Sequence, residues 1–167
     1  MFHRREMMFG VFQRNWKRGL AGAVGILAVI FVLIQLVPVD KTNPPVVSEP
    51  AWDSPETRAL VKAACFDCHS HETVWPWYAR VAPSSWLLAR DVKKGRSELN
   101  FSEWTGQQEE LDELVEVVRE GEMPPWYYAI MHREAQLSDA EKQALIDGLT
   151  RTFGTGQTAI GKSHDDD

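Results

Sequence analysis

The sequence predicts an all-α protein, with one N-terminal transmembrane helix followed by a small domain of about four helices. Three observations carry this. Leu20 to Val37 is apolar at every position but Gln35. Beyond it, helix start and stop residues bracket segments whose apolar positions recur at three and four. No stretch alternates long enough to suggest a sheet, and no repeat is visible.

At ~1.5 Å per residue, the apolar run nearly crosses a ~30 Å hydrocarbon core. A cleaved signal peptide would show a shorter apolar stretch and a small-residue exit; this exit, Leu36-Val37-Pro38-Val39-Asp40, is bulky. Five basic residues (Arg4, Arg5, Arg14, Lys17, Arg18) and one acid, Glu6, precede the run. The positive-inside rule then puts the N-terminus in the cytoplasm and the rest across the membrane, the periplasm in a two-membrane bacterium. From Asp40 onward, 13 basic residues face 23 acidic ones, a net of −10. Such a body has no basic patch for nucleic acid. The 167 residues divide into a basic cytoplasmic N-terminus (1–19), a transmembrane anchor (20–38), a Pro-rich linker (39–53), a folded domain (54–153) and a flexible acidic tail (154–167).

Within the folded domain, Asp53-Ser54-Pro55-Glu56 supplies a cap, a first-turn proline and an early acid. The helix they start runs through ETRALVKAA and delivers Cys65 at its end. Pro83-Ser84-Ser85 opens a second helix, which Gly95 is expected to terminate. GQQEELDELVEVVREG reads as a third, with Leu111, Leu114, Val115 and Val118 on one stripe and Gly121 as its stop. Ser138 and Glu141 form a capping box for the last, which carries Leu145, Leu149 and Phe153 on one side. The tryptophans fall mostly in or beside loops, where they suit either a core or the wall of a flat cofactor.

The chemistry is concentrated in Cys65-Phe66-Asp67-Cys68-His69, which holds the only two cysteines of the chain. Two thiols on one helical turn with histidine next is the C-x-x-C-H pattern of covalent c-type haem attachment. Zinc is a rival, through Cys65, Cys68, His69 and His71, but a structural zinc site draws its second ligand pair from a distant segment, and none exists. A thioredoxin-like redox pair wants a βαβ setting that the helical pattern lacks. A disulfide across so short a loop would constrain little of the unfolded chain. Export of the domain favours haem, with His69 as the iron ligand. Its second ring nitrogen needs a carbonyl acceptor, expected near Pro83. His71 is too close in sequence to reach the opposite face. The sixth-ligand candidates are Met123, in a stiff loop before Pro124-Pro125, then Met131 and His132, or an open site.

Taken together, CFDCHSHETVWPWYARVAPSSWLL, DVKKGRSELNFSEW, GEMPPWYY and LSDAEK resemble the bacterial haem-binding domain proteins of the cytochrome c superfamily. The resemblance covers roughly Trp52 to Leu149. It implies a cytochrome c-like fold with one haem c per chain, covalent on Cys65 and Cys68, with His69 as axial ligand. It supports Met123, in the GEMP block, as the distal ligand. The family often reads His-Pro where this chain has His132-Arg133, a departure in that loop. On this reading Trp75, Trp77 and Tyr78 pack near the haem edge, and a Trp N–H, the Tyr O–H or Arg80 reaches a propionate.

The function expected is that of a membrane-anchored periplasmic cytochrome, not an enzyme, carrying single electrons. Its partners would be membrane lipid and a basic redox protein drawn by the acidic body. The competing classes are a sensor or peroxidase-like protein whose distal ligand leaves, and a structural haem subunit of a larger membrane complex.

Overall fold

A computed structural model describes residues 2–105 and 109–154, with the helix path alone for 2–15 and 109–112. The expectation of a tail after Phe153, His164 included, lies outside the described residues from 155 on, as does the contribution of Leu111 to its stripe.

The protein is helical, as the sequence predicts. Its α-helices are α1 (Phe2–Ile34), α2 (Pro55–Ala64), α3 (Phe66–His69), α4 (Ser84–Glu98), α5 (Glu109–Glu120), α6 (Trp126–Met131) and α7 (Asp139–Phe153), with 3₁₀ turns at Trp77–Arg80 and Arg133–Ala135. The only β pairing among the described residues is one parallel bridge between Ser48 and Glu103. Two compact units form: Met1–Asp40 with Pro76–Ala89, and Lys41–Trp75 with Arg90–Asp167.

In the first unit, Trp16–Ile34 within α1 is long and apolar enough to cross a membrane. Its 19 residues rise about 28 Å. Gln35, just past the helix, turns its amide onto the backbone of Ala82. Its Oε1 accepts from Ala82 N at 2.8 Å, and its Nε2 donates to Ala82 O at 3.2 Å and to Phe31 O at 2.9 Å.

The core of the second unit joins Val61 and Phe66 to Phe101, Leu114, Val118, Leu145, Ile146 and Leu149. Around it runs an aromatic cluster. Trp52 meets Phe66, Phe101 and Phe153 at 5.4–6.4 Å, and Trp104 stacks on Phe153 at 4.8 Å. Trp52 and Trp104 are therefore structural, which separates them from the tryptophans available to a cofactor.

The helix ends follow the sequence signals closely. Ser54 Oγ accepts from Thr57 N with Pro55 next, and Ser138 and Glu141 cap each other reciprocally. Gly121 leaves α5 at φ 79°. One expectation fails. Gly95 does not end α4, which continues to Glu98. The Pro-rich linker is extended as expected, but from Lys41 on it is strapped to its own unit. Arg96 donates to Thr42 O and Asn43 Oδ1, Asn43 Nδ2 donates to Thr73 O, and Val47 N and Ser48 N donate to Ser102 O. Arg58 grips Glu49 with both arms, at 2.7 and 2.8 Å.

Candidate haem site

The CFDCH segment is α3 itself, with Cys65 at the corner where α2 ends. Cys65 closes α2 by donating its N–H to Val61 O at 2.8 Å, and its own carbonyl accepts from Cys68 N (3.1 Å) and His69 N (2.9 Å). Phe66 is buried to 1 % exposure in the core, so the motif is pinned by its least polar residue. The corner is braced from within. Ser70 Oγ donates to Phe66 O, Thr73 Oγ1 donates to Asp67 O, and Val74 N donates to Asp67 Oδ1. Both cysteines are half-buried, and their sulfurs are not joined to one another.

Gly95 explains why α4 continues. A Cβ there would stand 2.5 Å from Cys68 O, 3.0 Å from its carbonyl carbon and 3.1 Å from its Cβ. The glycine is a close-approach residue that lets α4 lie directly on the motif, rather than a stop. One turn on, Leu99 is the first residue beyond α4, and its carbonyl has no helical partner. His69 Nδ1 donates to that carbonyl at 3.0 Å, and His69 O accepts from Phe101 N at 2.8 Å. The acceptor for the histidine is thus Leu99 and not the Pro83 neighbourhood, because the end of α4 brings an orphan carbonyl to the ring.

The electrostatics separate the rival chemistries. Burial pushes both thiols up to about 12, assisted at Cys68 by the Asp91 and Asp67 carboxylates. A redox nucleophile needs the opposite shift. Among the described residues, no group of three or more His, Cys, Asp and Glu side chains could hold a metal ion. His71 is occupied: Nδ1 donates to Pro45 O at 2.9 Å, so Nε2 is the acceptor for Asn100 Nδ2 at 3.0 Å. Burial also holds His69 below its ordinary value, against the opposing pull of the Leu99 carbonyl, so the imidazole stays neutral. A neutral ring with Nδ1–H fixed leaves Nε2 as the ligating nitrogen.

The distal candidates sit on one stretch. Met123 is half-buried in the loop after α5, its N–H donating to Val117 O. Met131 is 57 % exposed on α6. His132 is buried at the end of α6, donating Nδ1–H to Tyr128 O and stacking on Tyr128 with centroids 3.9 Å apart. This stretch is tied to the motif itself, because Tyr128 Oη donates to Asp67 Oδ2 at 2.8 Å.

The aromatic candidates divide between the two units. Trp75 belongs with the motif, and its Nε1–H is a buried donor with no partner among the described residues. Trp77, Tyr78 and Arg80 lie in the other unit. Trp77 is 76 % exposed, Arg80 is exposed, and Tyr78 meets the Trp77 ring edge-on at 5.8 Å. The Nε1–H groups of Trp52 and Trp86 are likewise buried with no partner among the described residues, so an orphan indole does not single out Trp75. The donor set fits a haem: two unjoined cysteines and one oriented imidazole on the same turn.

Sequence reasoning missed Gly95, Leu99, Asp67 and Tyr128. The helical spacing that continues through RSEL after Gly95 was the available signal for the first two. A family model described as a haem-binding domain matches residues 29–151. No curated protein and no solved structure gives a significant match.

Proposed function

From a chain that belongs to the haem-binding domain family, we propose a membrane-anchored periplasmic monohaem cytochrome of the cytochrome c superfamily that carries single electrons. The observation that carries this is His69, its Nδ1 aimed by Leu99 O, on the same turn as two unjoined cysteines. Cys65 and Cys68 would hold a haem as thioethers, and His69 Nε2 together with Met123 would ligate its iron. The bound haem supplies the one-electron couple. The chain's own residues supply the rest. Asp67 and Tyr128 fasten the Met123 stretch to the attachment turn, which favours a closed, six-coordinate site over one open to peroxide. Trp75 offers its orphan N–H to a propionate. Residues 16–34 anchor the chain, and the charge asymmetry about them orients it.

The test is expression of the full chain in a host that matures c-type haem, followed by a denaturing gel stained for haem. Wild type should stain and Cys65→Ala/Cys68→Ala should not. A wild-type band without haem would remove the covalent assignment. Ferric spectra and reduction potentials of Met123→Ala and His132→Ala identify the distal ligand. A loss of six-coordination in the His132 variant alone would replace Met123.

A further inference from the structure

The first unit pairs the apolar helix with a loop that the haem site does not explain. Gln35 is the only polar residue of the apolar run, and it lies one residue beyond a span long enough to cross the hydrocarbon. An amide at that depth is costly unless each of its groups is paired. Gln35 meets the requirement largely outside its own helix, by exchanging two hydrogen bonds with the backbone of Ala82. The clamp holds residues 76–89 beside the point where α1 leaves its apolar span. Ala82 is 3 % exposed within this pairing, yet Trp77 in the preceding 3₁₀ turn is 76 % exposed and Leu87 in the first turn of α4 is 46 % exposed. Arg80, between them, is exposed as well.

We propose that residues 76–89 form a second membrane contact, lying in the headgroup layer with Trp77 inserted at the boundary with the acyl chains. An indole suits that layer, because its ring partitions toward the chains while its N–H stays hydrated. Leu87 adds apolar area, and the Arg80 guanidinium suits lipid phosphate. The occupant of the exposed surface is a bilayer because this segment is clamped at the end of α1, whose residues from Gly19 to Leu33 are all exposed and apolar. This inference rests on reading residues 16–34 as an anchor and assigns the loop a role separate from haem contact.

The test is ¹⁹F NMR of the full chain, labelled with 5-fluorotryptophan and reduced, in phosphatidylcholine–phosphatidylglycerol nanodiscs. Trp77→Phe and Trp16→Phe assign the two resonances. Nitroxide-bearing lipid should broaden Trp77 about as strongly as Trp16, and a water-soluble gadolinium chelate should leave Trp77 largely untouched. Gln35→Leu, which keeps the helix, should abolish the lipid broadening at Trp77 while leaving that at Trp16 in place. Broadening at Trp16 without Trp77 overturns the inference and leaves the anchor standing. Broadening at neither overturns both. Unchanged broadening of Trp77 in Gln35→Leu overturns the clamp as its cause.

Discussion

Gly95→Ala separates two physical accounts of one residue by the sign of its effect. Taken as an ordinary helix glycine, Gly95 should give way to alanine with a gain of about 1 kcal/mol in helix propensity. The contacts say otherwise. The new methyl would sit 2.5 Å from Cys68 O and 3.1 Å from Cys68 Cβ. Relief needs α4 and the motif to part by several tenths of an ångström, and both surfaces there are backbone. Overpacking of this kind costs about 1–3 kcal/mol. With rigid neighbours the upper end applies, so the net loss after the propensity gain is about 2 kcal/mol. For a domain of this size, that is a fall in Tm of roughly 10 °C. Thermal unfolding of the full chain in detergent reads the loss. Haem staining reads a second consequence, since displacing Cys68 and Leu99 O disturbs a sulfur and the His69 acceptor together. A variant as stable as wild type, with equal covalent haem, would refute the close-approach account.

Three further outcomes follow from the site. Folded, the thiols stay protonated to about 12, while unfolded ones titrate near ~8.5. The unfolded chain then sheds protons that the folded one keeps, so haem-free protein should lose stability as pH rises from about 8.5 toward 12. Urea midpoints across that range should fall less steeply for Cys65→Ala/Cys68→Ala and for protein carrying thioethers; equal slopes would contradict the buried thiols. His71→Ala removes a buried ring and its bonds to Pro45 O and Asn100 Nδ2, costing about 2 kcal/mol, yet should leave the haem spectrum unchanged, and a changed spectrum would make His71 more than a brace. A double-mutant cycle of Tyr128→Phe with Asp67→Asn should return roughly 1.5–3 kcal/mol of coupling in urea unfolding. Additive losses would show that the Met123 stretch is not fastened to the motif through this pair.

What the sequence disclosed depended on how local the determining interaction is. The caps at Ser54 and Ser138 involve partners three residues away, and both could be read directly. So could the apolar span and the Gly121 exit. The Cys65–His69 pentapeptide stood out because its spacing is local to five residues. Gly95 and Leu99 were not, since their roles come from Cys68 and His69, 27 and 30 residues earlier. A glycine among charged residues looks like a stop until the surface packed on it is known. Sequence order also grouped Trp75, Trp77, Tyr78 and Arg80 as one aromatic block. The boundary between the units falls after Trp75, a division set by which segments Gln35 and the core each recruit.

The short stretch from Gly95 to Leu99 has a consequence in time. Gly95 lies on Cys68, Arg96 donates to Ser70 O at 2.7 Å, and Leu99 O takes the His69 ring. All three arrive late, because the chain is made from the N-terminus. Until this stretch has emerged and folded back, the turn bearing the two sulfurs is open on that side. Afterwards the thiols are enclosed and protonated. Any chemistry that bonds to those sulfurs therefore has a natural window between emergence of His69 and the docking of α4. The last turn of that helix acts as the latch that ends it.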